Sequence, residues 1–208
     1  MTPFTEDAKR RPLFEEPGPH IERADPWTGP QGFLFGGGLG GEPDHLDVAQ
    51  DYMEAAYVLT EVIRKGDWEG YRLANPVLYL YRHSVELFLK GVMGNDRRTH
   101  CLVELADSFA EFIRRRSGNE VPNWITSRLK EIAAIDPNST EFRYGKNRDS
   151  AKQTRPSGVI PGEFYVSLPH LQDAMIALNW ALASVVGGMS TERMELLARQ
   201  HAARRDFD

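Results

Sequence analysis

The chain has one cysteine, Cys101, in 208 residues. No internal disulfide can form, and a multi-cysteine zinc site is excluded. Cys101 reads as a small apolar filler at a helix start. His100 is its neighbour in sequence, but adjacent positions on a helix point in different directions, so no thiol–imidazole pair is expected from them. No apolar run approaches the roughly 18 residues a membrane span needs. The opening stretch MTPFTEDAKRRPLFEEPGPH has no apolar segment of the secretory type, so the cytoplasm is the expected location. Excess positive charge is also missing: 25 Lys and Arg face 30 Asp and Glu, a net charge of −5. Nucleic acid would have to be held by a local patch, not by a global field. Spaced His pairs for zinc and paired acidic motifs for two-metal chemistry are absent, so no metal and no cofactor are expected.

What is present divides at about residue 44. Residues 1–43 are rich in Pro and Gly and end in GFLFGGGLGGEP, which can neither propagate a helix nor pack a core. They read as an extended arm whose Phe33, Leu34 and Phe35 could dock on the body or on a partner. The glycine run is not a phosphate loop, because no strand precedes it and no Gly-Lys-Ser/Thr follows.

From Asp44 onward helical periodicity dominates. Asp44 can cap a helix to about Lys65, with Val48, Tyr52, Ala55, Ala56, Leu59, Val62 and Ile63 on its buried face. A second helix covers Asn75–Met93, with Pro76 in its first turn. Leu102 to about Arg116 forms a third, ending in three arginines that suit the helix dipole. A fourth begins near Pro122 and carries Trp124, Ile125, Leu129, Ile132 and Ala133. Residues 136–165 look irregular, with residues 141–144 and 163–168 as two short strands flanking a polar loop (144–165). A fifth helix over 169–186 buries Leu171, Met175, Ile176, Leu178, Trp180, Ala181 and Val185. A charged last helix lies within 189–208. The expectation is a mainly all-α bundle over 44–208 with one β-hairpin-like excursion.

The second helix is the most informative segment. At about 100° per residue, Tyr81, Val85, Phe88, Leu89, Leu78 and Val92 fill one arc, and Leu80 and Leu87 lie on the other side. Between them run Tyr79, His83, Glu86 and Lys90, with Arg82 bordering the broad arc. A helix apolar on both sides of a polar stripe is enclosed, so the stripe is expected to be partly buried. Glu86 and Lys90 stand at i and i+4 in the favourable order. They form either an internal salt bridge that fixes packing or part of a site holding an imidazole and cations. Arg143, from the irregular segment, is expected to give Glu86 a second, bidentate partner, with Arg82, His83 and Tyr144 counted in the same polar network. Arg143 and Tyr144 could alternatively contact phosphate and stack on a base. Arg97, Arg98 and Arg114–Arg116 are the most basic stretches, either a phosphate-contacting patch or solvated helix ends.

The runs LYLYRHSVELFLKGVM, RTHCLVEL and IDPNSTEFRYGKNRD, in that order, resemble the HEPN superfamily of helical domains across about residues 44–186. The resemblance implies a bundle of four or five helices, frequently dimeric, of the kind found in prokaryotic toxin–antitoxin and antiviral systems. Active members are metal-independent ribonucleases with an Arg-x4–6-His motif. None of His20, His45, His83, His100, His170 and His201 has an arginine at that spacing, so the motif is absent here. The expected role is a HEPN-like module that binds RNA, a nucleotide or a protein partner, as a homodimer or in a complex. One alternative is a ribonuclease with a composite site: His83 or His100 as general base, Lys90 and Arg143 stabilising phosphate charge. Another is a structural dimerisation or scaffold domain.

Overall fold

A computed structural model describes residues 44–94, 98–144 and 165–186, all within the unit Pro43–Asp208. The arm over 1–43, the loop over 145–164 and the last helix over 189–208 lie outside the described residues. Those described form an all-α fold with the order α1 (His45–Arg64), α2 (Gly70–Met93), α3 (Leu102–Ser117), α4 (Asn123–Ile135), α5 (Glu141–Tyr144) and α6 (Leu168–Val186). No helix among them is long and apolar enough to cross a membrane.

Asp44 caps α1 as expected: its Oδ1 accepts from the backbone N–H groups of Leu46 at 2.7 Å and Asp47 at 2.9 Å. The buried face is rotated by about one position from the expected one. Ala49, Gln50, Met53, Ala56, Thr60 and Glu61 are buried, whereas Ala55 is exposed. The displacement has a physical reason: three of these buried residues are polar and find partners inside, so apolarity alone misplaces the stripe.

The second helix starts five residues earlier than expected, at Gly70, and Pro76 stands inside it. A proline there forfeits one helical hydrogen bond and crowds the carbonyl one turn back. The penalty is softened because Tyr71, Arg72, Asn75 and Pro76 are all exposed and water can reach the displaced carbonyl. From Val77 to Lys90 the same helix is enclosed, with nine buried residues against six in α1 and three each in α3 and α4. It packs on α1, α3, α5 and α6 and is the axis of the bundle. The α1–α2 crossing is close: a Cβ on Gly91 would stand 2.7 Å from Leu46 Cδ2.

Helices α2 and α3 both end on a left-handed glycine, Gly94 (φ 58°) and Gly118 (φ 71°), where a side chain would be strained. Leu102, Leu105 and Phe109 of α3 and Ile125, Leu129 and Ala133 of α4 complete the core with Met175, Leu178, Leu182 and Ala183 of α6. Trp180, expected inside, is exposed, as is Trp124 of α4. Indole is rarely fully buried, and these two stand on the rims of their helices.

The expected strand over 141–144 is instead one helical turn, α5. Asp136 redirects the chain: its Oδ1 accepts from Thr140 N at 2.8 Å, and Ser139 takes a left-handed φ of 60°. That turn puts Phe142 into the core and Arg143 out to solvent. Tyr165 to Ser167 carry no regular structure, and no strand occurs among the described residues.

Candidate functional site

Helix α2 presents Arg82, Glu86 and Lys90 one turn apart, and all three are buried. Placing three ionised groups in a bundle interior is costly unless each is paired and its hydrogen-bonding capacity used. Here the pairing is dense. Glu86 Oε1 accepts from Lys90 Nζ at 2.8 Å and lies 2.7 Å from His100 Nδ1. Its Oε2 accepts from Arg82 Nη1 at 2.7 Å. Burial alone would raise the Glu86 carboxyl, but the hydrogen bonds from Lys90, Arg82 and His100 outweigh it and hold the carboxyl down at about 2. An ionised carboxylate only accepts, so His100 Nδ1 is the protonated nitrogen in this contact, leaving Nε2 with a lone pair in the neutral ring.

Arg82 is the centre of the network. Its Nε donates to Asp136 O at 2.7 Å, and its Nη2 donates to His100 O at 2.7 Å and Pro137 O at 3.1 Å. The Asp136 carboxylate adds an ion pair at 3.5 Å from Nε. Four of the five guanidinium N–H groups are thus used, three on backbone carbonyls. Pro137 O accepts in addition from Leu102 N at 2.9 Å, so one point ties the start of α3 to the turn after α4. The sequence places Arg82 beside the stripe, yet it is wholly buried and supplies the second cation that Arg143 was expected to bring. The reason is local: Arg82 precedes Glu86 by four residues, as Glu86 precedes Lys90, and both helical neighbours reach the carboxylate before a loop can. Arg82 belongs to the expected polar network, whereas His100, Asp136 and the three carbonyls are participants that sequence reasoning did not place in it. The i, i+4 spacing of Arg82 and Glu86 was the available signal for their pairing.

Arg143 is exposed and turned to another group. Its guanidinium stands 5.2 Å above the Tyr79 ring, with Nη2 3.3 Å from Tyr79 Oη and 3.4 Å from Ser139 Oγ. Tyr79 in turn stacks on His83, with centroids 5.5 Å apart and planes at 10°, and Tyr52 meets His83 edge-on at 4.6 Å. The result is a column of guanidinium, phenol and imidazole one turn along α2 from the charged network. His83 is beside the network but not bonded into it, and its Nδ1 is buried without a hydrogen-bond partner. Burial lowers its pKa; Arg143, Arg82 and Lys90 add to the effect, and Glu86 opposes it. The Tyr144 side chain lies outside the described residues.

His100 is the one member of the buried network with an accessible face, its side chain being 55% exposed. Cys101 is half-buried at the N-cap of α3, where its N–H donates to Thr99 Oγ1 at 3.1 Å. Arg114 and Arg115 are paired with Glu111 on the α3 surface and so act as a solvated helix end. No cluster of three or more metal-ligating side chains occurs among the described residues. No protein-family model, curated protein or solved structure matches the chain.

Proposed function

We propose that this chain is a HEPN-like helical module that binds RNA or a nucleotide, of the kind used in prokaryotic defence and toxin–antitoxin systems. The observation that carries the reading is the Arg143–Tyr79–His83 column: an exposed cation lying on aromatic rings at the edge of a rigid, buried charge network. A guanidinium can take a phosphate or stack a base on its outer plane, with the Tyr79 ring backing it, which suits single-stranded RNA. The network below holds the platform still, since Arg82 fixes the turn from which α5 and Arg143 start. In fluorescence anisotropy with a labelled single-stranded RNA, Arg143→Ala and Tyr79→Ala weaken binding by roughly tenfold or more, about 1.4 kcal/mol. Equal binding by both variants, or none by the parent chain, overturns the reading.

One observation favours a second reading. His100 offers its exposed ring beside Lys90, with Nδ1 locked by Glu86, the arrangement a general base requires. A metal-independent ribonuclease would use that imidazole on the ribose 2′-hydroxyl with Lys90 countering phosphate charge. Incubation with mixed RNA in the presence of chelator decides it: cleavage that disappears in His100→Ala supports catalysis, and intact RNA leaves the binding module.

A further inference from the structure

Helices α1 and α6 meet along a seam of amides, and the direction of its hydrogen bonds can be read from one end. Glu54, at the rim, is a carboxylate and accepts. Gln50 Nε2 donates to Glu54 Oε1 at 3.3 Å, so Gln50 Oε1 faces the other way and accepts from Asn179 Nδ2 at 3.0 Å. The order Asn179 to Gln50 to Glu54 therefore fixes both amide orientations and leaves Asn179 Oδ1 over. That oxygen is buried and has no partner, in a residue only 2% exposed. The Tyr81 hydroxyl is buried as well, with Thr60 as its hydrogen-bonding neighbour. Thr60 beside it spends its proton on Ala56 O at 2.8 Å. The orphaned amide oxygen costs about 1–3 kcal/mol unless something fills its place, while Tyr81 Oη, donating to Thr60, keeps its lone pairs.

Asn179 and Tyr81 both line a cavity of about 20 Å³ between α1, α2 and α6. That volume holds one water-sized group. The remaining wall is not what a water needs. Tyr57 and Trp180 add two aromatic rings to that of Tyr81, and Glu54 brings a carboxylate, while Trp180 leaves the cavity open at 37% exposure. An ammonium head is the size of a water, carries three donors and a positive charge, and is drawn to aromatic faces. It matches an orphaned carbonyl oxygen, a phenol lone pair, a carboxylate and a ring wall together. The mouth then admits the alkyl stem.

We propose that this cavity receives a primary alkylammonium group, supplied by a lysine side chain of a partner protein or by a free alkylamine. Asn179 Oδ1 and Tyr81 Oη accept from the head group, Glu54 balances its charge, and Trp180 covers the stem. The site shares no residue with the Arg143–Tyr79–His83 column and stands or falls independently of RNA binding.

The test is NMR of the full chain, following the Trp180 indole and Met53 methyl signals during titration. The probes are n-butylamine, the capped lysine Nα-acetyl-lysine-N-methylamide, its Nε-acetylated form, and 1-butanol. Both amines are expected to give saturable shifts at the two signals, and the Nε-acetylated form and butanol none. Glu54→Gln weakens amine binding about tenfold, and Trp180→Ala at least as much, with unchanged melting temperatures because neither side chain belongs to the core. Affinity for a lysine-containing peptide well above that for butylamine assigns the site to a protein partner; equal affinities assign it to free amines. Butanol binding as tightly as butylamine shows a merely apolar cleft and overturns the proposal. So does the absence of saturable shifts up to about 50 mM amine, which is the result for a cavity that holds only water.

Discussion

The two polar clusters inside this bundle differ in how completely they use their hydrogen-bonding capacity. On α2, Glu86 meets three donors and Arg82 four acceptors, and the charges close on one another. At the Glu54–Gln50–Asn179 end of the α1–α6 seam the inner groups are neutral amides, the chain of donors runs one way, and Asn179 Oδ1 remains over. A saturated cluster in a protein interior is a fastener: it orients loops and has nothing left to offer a ligand except at its exposed edge. An unsaturated one carries a standing cost, which a ligand can remove. The difference also predicts unequal sensitivity. Breaking a charged, closed network strands buried charges, whereas breaking the amide chain at Gln50 loses two hydrogen bonds and strands no buried charge.

Arg82 gives the largest expected effect. Arg82→Met keeps much of the volume but leaves Glu86 with one cation and takes the Arg82 donor from the Asp136 and His100 carbonyls, while Pro137 O keeps Leu102 N. A loss of about 3–5 kcal/mol is expected in urea unfolding. A loss below about 1 kcal/mol would mean that the network tolerates an empty centre and that the contrast between the clusters is false. Next comes acid. The Glu86 carboxyl titrates near 2 in the folded chain against an ordinary value of 4.5. Its folded-state pKa is depressed, so its contribution is present above pH 4.5 and is lost as the pH falls toward 2. The shift corresponds to about 3 kcal/mol. Stability measured from pH 5 to pH 2 should fall by that order in the parent chain and less in Glu86→Gln, which lacks the titration. His83 acts at higher pH and in the same sense: its lowered pKa favours the neutral ring, so stability declines as the pH drops below about 6.5. The smallest effect belongs to the seam. Gln50→Leu removes the middle of the donor chain and is expected to cost about 1–2 kcal/mol. A cost equal to that of Arg82→Met would place the two clusters in one class.

The bundle was largely legible in the sequence because its helices are marked by local chemistry. Asp44 as a cap, the glycine after Met93 and the i, i+3, i+4 spacing of Leu102, Leu105 and Phe109 all act within one or two turns. The buried stripe was legible for the same reason: apolar residues on both sides of Glu86 and Lys90 imply enclosure. What failed depends on contacts distant in sequence. The segment at 141–144 has the β-like alternation of Phe142 and Tyr144, yet the bond from Thr140 N to Asp136 Oδ1 turns it into a helix. Arg143 was expected at Glu86 because a second donor was needed. The donor was already on the helix, and the phenol of Tyr79 took Arg143 instead. The α1–α6 seam was not foreseen, since Gln50 and Asn179 announce no function until the two helices are laid together.

The bonds of Arg82 also bear on the order of folding events. Helices α1 and α2 are neighbours in the chain, and they dock through contacts of smaller separation such as Ser84 Oγ donating to Ala49 O, 35 positions away, at 2.7 Å. Arg82, by contrast, reaches residues 54 and 55 positions away, which arrive only after α3 and α4 have been traversed. Closing so long a loop is entropically unfavourable until the intervening helices are in place. The guanidinium therefore locks late, after the rate-limiting barrier, and acts as a latch on a bundle already assembled. In chevron kinetics Arg82→Met should steepen the loss through faster unfolding with little change in the refolding rate, while Ser84→Ala slows refolding as well. A side chain of this kind sets how long the native state lasts more than how quickly it is reached.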